Sequence, residues 1–561
     1  MTPFPDDFNL ADYWLFDRLR EGKGDRVALR FGDRSWTYAE VAERARALAR
    51  FFLDGRLVPE QRVYIVLPDV PPFAWSIFAT LAAGGVVTMG NPIAPIDDLR
   101  YVLGYVRAAV LVTTPEVARQ LAPHFADLPF LNTVLLAPDA ATGDDPELAV
   151  PRPAWFDELE LGGVEVSSLE AAIDDGRESD AALASTHRDD PAIWLFTSGS
   201  TGRAKAAMHS HRDFAFNTEV YAKHTVGYRE DDIVISVPRL FFGYATGTNL
   251  WFPFAVGATV GLFSERPTAE SVAAAITRYR PTVVTNVPTM LGKLLDLDDE
   301  LRAKGAPPLD LSSVRFQLSA GEALPEALLR RFTERFGGEI YDGIGSAEMF
   351  HIYCSNRPGD VVPGSLGRAV EGYTLKILPE DAEGAGAPAL APNEIGVLWV
   401  KGDSVAHGYF EDREKSWETF HGHWCRTGDL FRIDERGYLW FSGRADDLFK
   451  VGGIFVAPRE VEDCLLAHAC VSGVAVIAAE DQGLTKPKAL VVLRPDARAR
   501  VATPQGARAL ADELKAHVQA RLSKHKYPRW VVFVDDLPKN DRGKVDKKLL
   551  ALREKRGELR E

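Results

Sequence analysis

A chain of 561 residues, 46% hydrophobic and 26% charged, has the balance of a folded globular protein and exceeds what one hydrophobic core organises. At ~150 residues per unit it allows roughly two to four domains. Its 65 basic and 80 acidic residues leave a net charge of −15, which excludes a surface that attracts nucleic acid or anionic membrane on average, so an anionic ligand must be met by locally gathered cations.

The amino-terminal "MTPFPDDFNLADYW" has early acids and no secretory pattern. From residue 37 the chain alternates: a helical "TYAEVAERARALARFFLDG", a strand "RVYIVLP", a helix "PFAWSIFATLAAGG", a strand "VVTMG", a helix near "DDLRYVLGYVRA" and a strand "AVLVTT". A second series follows, with strands "IVISVP", "ATVGLF", "PTVVTNVP" and "VRFQLSAGE" and helices "AESVAAAITRYR" and "PEALLRRFTERFG". Alternation of this kind predicts α/β architecture with two doubly wound units. The long uncharged runs at 70–96 and 240–264 are interrupted by Pro71, Pro72, Gly84, Gly85, Gly243, Gly247, Pro253 and Gly257, so they read as buried helix-turn-strand segments and not as membrane spans.

Past about residue 364 helices are expected to give way to short strands, "YTLKIL", "GVLWVKG" and "GYLWFSG", forming a small barrel-like or sheet appendage, with "EDAEGAGAPALAPNE" as a surface loop. From "VAPREVEDCLLAHA" the pattern returns to mixed α and β. The division expected is a large domain, 1–445, and a small mobile α+β domain, 446–561. Cys354, Cys425, Cys464 and Cys470 lack metal-type spacing and read as reduced thiols of a cytoplasmic protein.

After the apolar "AIWLF" comes "TSGSTGRAK", 197–205, with four hydroxyl residues, two glycines, an arginine and a lysine in nine positions. It lacks the Gly-x4-Gly-Lys-Ser/Thr of a Walker loop but offers similar chemistry: backbone N–H groups at a glycine-rich turn, hydroxyl donors and a lysine. By itself such a cluster is equally well a surface loop.

The stretch resembles the phosphate loop of the adenylate-forming superfamily, the acyl-CoA synthetases, adenylation domains and luciferases. Four further signatures follow in that family's order: "YDGIGSAEM" at 341–349, "RTGDL" at 426–430, "GRADDLFKVGGIFVAPREVE" at 443–462 and "PKNDRGKVDKKLL" at 538–550. The resemblance implies that Thr197, Ser198, Gly199, Ser200, Thr201, Gly202 and Lys205 hold ATP phosphates, and that Glu348 helps bind Mg²⁺. Ala347 stands where the family commonly has threonine, which leaves two alternatives: one hydroxyl contact to the α-phosphate is missing, or Ser346 replaces it. Gly321, Glu322, Tyr341, Asp342 and Gly343 resemble the adenine pocket, with Tyr341 stacking on the base. Asp429 and Arg444 match the ribose contacts. Lys544 matches the catalytic lysine between carboxylate and α-phosphate, Asp446 the hinge, and Lys450, Gly452 and Gly453 the border of the coenzyme A tunnel.

Three stretches, "LFFGYATGTNLWFPFAVGATVGLFSERPT", "SAGEALPE" with "YDGIGSAEMFHIYCSNRPGD", and "FNLADYWLFDRLREGKGDRVAL", resemble the benzoate-CoA ligase branch. That implies an acyl pocket of Phe242, Tyr244, Phe252, His351 and Ile352, and an aryl-CoA ligase using ATP, Mg²⁺ and coenzyme A with a small aromatic or cyclic acid. Loading of a carrier protein and a non-catalytic nucleotide-binding role stay open as alternatives, as does a homodimer. No nucleic acid partner and no membrane span are expected.

Overall fold

The computed structural model describes residues 4–139, 145–198, 203–322, 324–444, 449–451, 454–456, 458–481, 484–539 and 545–559, and only the backbone of Ser198, Arg444, Lys450, Ile454, Phe455 and Asp481. Two large sheets dominate it. The first has seven strands in the order Glu165–Ser168, Thr133–Leu136, Ala108–Thr113, Arg62–Val66, Val86–Met89, Pro191–Ser198 and Ala204–Ser210, parallel except for the last pair. The second has nine, with a parallel centre running from Val27–Phe31 through Thr259–Leu262, Ile233–Ser236, Val283–Asn286 and Phe316–Ser319 to Glu339–Gly345. Antiparallel strands close both its edges.

Helices cover both faces of each sheet, as parallel strands with helical crossovers require. Between the sheets lies a shared core in which helices Tyr38–Leu53 and Pro71–Ala82 meet Val63 and Ile65 of the first sheet and Leu29, Val234 and Leu318 of the second. Thr37 starts the first of these helices with a capping box: its hydroxyl accepts from the Glu40 N–H, and the Glu40 carboxylate accepts from the Thr37 N–H at 2.6 Å. Every residue of Pro71–Ala82 is buried, as expected of the uncharged run at 70–96 read as a buried segment. Among the described residues no helix is long and apolar enough to cross a membrane.

The hairpin Val27–Phe31 and Arg34–Thr37 precedes the first αβ series in the chain yet joins the second sheet, Leu29 pairing with Val260. That pairing spans more than two hundred residues and has no local signature. After residue 364 comes a five-stranded antiparallel sheet of Thr374–Leu378, Gly396–Lys401 and Trp424–Ile433, with Phe420–His421 and Leu439–Arg444 both paired to Trp424–Ile433. One helix, Arg413–Thr419, interrupts it, correcting the expectation that helices end at 364; the Asp412 side chain caps it by accepting from the Lys415 N–H at 3.1 Å.

The carboxy-terminal residues form a three-stranded sheet, Val471–Asp481, Leu484–Leu493 and Trp530–Phe533, with helices Pro458–Leu466, Pro504–Gln519 and Lys547–Lys555 and a core of their own around Val461, Leu465, Val491 and Leu514. The expected boundary at 445/446 falls outside the described residues.

Candidate active site

The stretch 197–205 joins β1, Pro191–Ser198, to β2, Ala204–Ser210, which pair antiparallel with Thr197 opposite Lys205 and Ser198 opposite Ala204. The stretch is thus flanked by strand on both sides, unlike the strand-to-helix setting of a Walker loop. Gly199, Ser200, Thr201 and Gly202 lie outside the described residues. Lys205, 15% exposed, places its ammonium 2.5 Å from Asp412 Oδ2 and 5.9 Å from the centre of the Tyr409 ring. Burial opposes ionisation of Asp412, but Lys205 and the Lys415 N–H prevail and hold its carboxyl below the usual range.

Beside this strand pair run β3, Phe316–Ser319, β4, Glu339–Gly345, and β5, Ile352–Ser355. A single 3₁₀ turn, Ala347–Met349, carries Glu348 between β4 and β5. Glu348 Oε1 accepts from the Tyr409 hydroxyl at 2.7 Å, and its carbonyl accepts from the Ala406 N–H at 2.9 Å. The carbonyl of Ala347 faces His209 Nε2 at 2.6 Å, and His209 Nδ1 faces Asp213 at 3.1 Å, so a buried His-Asp pair braces the turn from β2. The Ser346 hydroxyl is buried with no hydrogen-bond partner among the described residues, a donor fit for an oxygen of a bound ligand. Gly345 is needed because a Cβ there would stand 2.3 Å from the carbonyl of His351.

Asp342 is buried beside Ser319 of the adjacent strand, with the Leu324 N–H 3.4 Å from Oδ2. Burial pushes its carboxyl up to about 7, against the opposing influence of the Ser319 hydroxyl, the Leu324 N–H and the Arg459 guanidinium. Gly321 takes the left-handed conformation at φ +89°, and Glu322 accepts from the Thr289 hydroxyl at 3.0 Å. Gly343 lies against β5, where a Cβ would come within 2.9 Å of the Cys354 carbonyl. Tyr341 departs from expectation. Strand alternation turns it away from Asp342; its hydroxyl donates to Glu339 at 2.8 Å and its ring packs on Phe316 at 5.0 Å, so the structure does not bring it to the pocket as a stacking surface.

Asp429 on β6, Trp424–Ile433, sits directly opposite Arg444 on β7, Leu439–Arg444, the two residues assigned to the ribose.

The expected acyl pocket centres on His351. Its Nε2 lies 3.0 Å from the Tyr244 carbonyl, and rings of Phe252, Tyr244, Phe350 and Tyr221 surround it at 4.7, 5.4, 5.3 and 5.6 Å. Burial holds its pKa down to about 3, so the ring is neutral. A carbonyl only accepts, hence Nε2 carries the proton and Nδ1 is a bare lone pair, buried without a partner among the described residues, as is the Tyr244 hydroxyl. Gly247 admits the imidazole, since a Cβ there would meet Nε2 and Cδ2 at 2.6 Å. Ile352 is buried next to Gly343. Phe242 is half-buried and packs on Phe241 at 4.4 Å.

Asp446, Gly452, Gly453 and Lys544 lie outside the described residues, and of Lys450 only the backbone, paired with Phe455, is described. Tyr409, Asp412, His209, Asp213 and Tyr221 escaped the sequence reading. Only the His-x3-Asp spacing at 209–213 gave a local signal.

The AMP-binding enzyme family matches residues 16–410, and the AMP-binding enzyme C-terminal domain matches 460–544. A benzoate–CoA ligase of Thauera aromatica is 37% identical over 97% of this chain and 95% of its own length. The structure of an anthranilate CoA ligase in complex with anthranoyl-AMP superposes with a TM-score of 0.86 at 32% identity, over 99% of both chains. A benzoate CoA ligase of Burkholderia xenovorans LB400 does so with a TM-score of 0.80 at 34% identity, over 97% of this chain and 99% of that one. The chain therefore belongs to the AMP-binding enzymes, in the branch of the benzoate–CoA ligases.

Proposed function

We infer that the protein is an ATP-dependent aryl-CoA ligase: a small aromatic carboxylate attacks the α-phosphorus of ATP, pyrophosphate leaves, and the thiol of coenzyme A then displaces AMP from the acyl adenylate. One observation carries this reading. A cluster suited to a nucleotide, with Lys205, Ser346, Glu348 and Asp342, adjoins an aromatic cluster built around His351, through the short segment from Gly345 to His351.

In the first step two anions meet, so donors and cations must be in place before charge builds. Lys205 and the 197–202 stretch hold the outer phosphates, Ser346 donates to the α-phosphate in place of the hydroxyl absent at Ala347, Asp429 accepts from the ribose hydroxyls, and Arg444 donates to the ribose. Ionised Asp342 accepts from the amino group of adenine. Mg²⁺ fits the donor set, since Glu348 keeps Oε2 free of the Tyr409 bond and phosphate oxygens supply the rest of an oxygen shell. When bound it neutralises phosphate charge. Lys544 stabilises the transferring carboxylate and α-phosphate, and residues 446–561 reorient between the two steps, bringing the 450–453 stretch to the thiol.

The bare Nδ1 of His351 and the unpartnered Tyr244 hydroxyl favour a ring with a hydroxyl or amino substituent over an unsubstituted one, because a buried acceptor left unmatched costs about 1–3 kcal/mol. Four unpaired cysteines, two of them buried, suit the reducing cytoplasm.

The test is a panel of benzoate, its hydroxy and amino derivatives and saturated cyclic acids, read by pyrophosphate release and by thioester products with free coenzyme A or a carrier protein. Release with an aromatic acid and a CoA thioester are expected. No release with any acid would return the protein to a nucleotide-binding role, and transfer to a carrier protein alone would make it a loading enzyme.

A further inference from the structure

Residues 406–412, "AHGYFED", belong to the third unit of the fold but run antiparallel along the edge of β2. The His407 N–H donates to the Met208 carbonyl at 2.9 Å, the Met208 N–H to Gly408 at 3.0 Å, and the Phe410 N–H to Ala206 at 2.9 Å. The segment is anchored beyond the ladder as well: Phe410 packs on Trp194 at 4.7 Å and Glu411 pairs with Arg107. From this fixed backbone two side chains reach the two opposite charges of the nucleotide site. The Tyr409 hydroxyl donates to Glu348 Oε1 at 2.7 Å, and Asp412 Oδ2 meets the Lys205 ammonium at 2.5 Å. Lys205 and Asp412 are 15% and 29% exposed, unlike the solvent-bathed pairs that contribute little.

We propose that Tyr409 and Asp412 are positioning residues for nucleotide binding: one seven-residue segment sets the metal-facing carboxylate and the phosphate-facing ammonium relative to each other. Tyr409 occupies Oε1 and so turns Oε2 to the cation. Asp412 takes one of the three N–H groups of Lys205, limits the sweep of its flexible stem and leaves the other two for phosphate oxygens. Carboxylates that hold metals depend on such hydrogen-bonded supports, and removing one typically weakens metal affinity about tenfold or more. The inference rests on the reading of this site as an ATP site.

The experiment uses the full chain and its Tyr409→Phe, Asp412→Asn and Asp412→Glu variants. Mn²⁺ binding is followed by electron paramagnetic resonance with an ATP analogue whose α,β-bridging oxygen is replaced by methylene, and analogue binding without metal is measured by calorimetry. Tyr409→Phe is expected to weaken Mn²⁺ about tenfold and leave metal-free analogue binding unchanged. Asp412→Asn is expected to weaken the analogue with and without metal, and Asp412→Glu to restore part of it. The KM for the acid and thioester formation from supplied acyl-AMP should stay at parent values in all three. A cycle with Glu348→Gln guards against a folding artefact: Tyr409→Phe should add nothing to Mn²⁺ weakening in that background. Parent-like Mn²⁺ and analogue binding in the variants overturns the proposal, and so does a proportionate loss of every readout, which marks a purely structural strut. Failure of the parent chain itself to bind the analogue would instead overturn the ATP-site reading.

Discussion

A methyl group at Gly247 would stand 2.6 Å from Nε2 and Cδ2 of His351 and 3.2 Å from the Phe252 ring, both of them buried rings of the expected acyl pocket. Gly247→Ala should therefore cost about 1–3 kcal/mol of stability and raise the KM for the acid far more than that for ATP, read from denaturant midpoints and initial rates. Asp342 gives a pH signature. Its folded value of about 7 lies above the roughly 4 of an unfolded aspartate, so its stabilising contribution is complete below pH 4 and is lost as the pH rises through 7. Nucleotide binding runs the opposite way, because only the ionised carboxylate accepts fully from the adenine amino group. Between pH 6 and 8 ATP affinity should rise, by at most about tenfold per pH unit below the pKa, and Asp342→Asn should flatten the profile measured by calorimetry.

At the scale of elements, the turn between β4 and β5 is the most demanding piece. It carries Ser346 and Glu348 on one side and His351 on the other, and it is held by Tyr409, by the His209–Asp213 pair and by the absence of a side chain at Gly345. The obstacle at Gly345 is the backbone carbonyl of His351, which has no rotamer to change. Gly345→Ala should accordingly displace the whole turn, with about 1–3 kcal/mol lost in stability and losses in both metal–nucleotide and acid affinity, measured by thermal unfolding and by separate titrations. The αβ alternation that builds the strands around it was legible from periodicity alone, because strands and helices of parallel sheets carry strong local patterns. The helix Arg413–Thr419 was not, being short and started by a single cap.

For the molecule as a whole, the prediction concerns Lys544→Ala. If that lysine acts on the adenylation step alone, acyl-AMP formation falls by orders of magnitude while thioester formation from supplied acyl-AMP survives, as measured in separate single-turnover assays; an equal loss in both would refute a two-conformation cycle. The sequence by itself determined the order of the αβ units, the phosphate stretch at 197–205 and the family signatures, since glycines, hydroxyls and charges at fixed spacing are local features. Only the tertiary structure decided that this stretch is flanked by two antiparallel strands, that Val27–Phe31 belongs to the second sheet, that Tyr341 faces away from Asp342, and that Tyr409 and Asp412 reach Glu348 and Lys205. These last depend on strand pairing and side-chain direction between segments 61 and 207 residues apart in the Tyr409 and Asp412 contacts, where no local pattern carries the information.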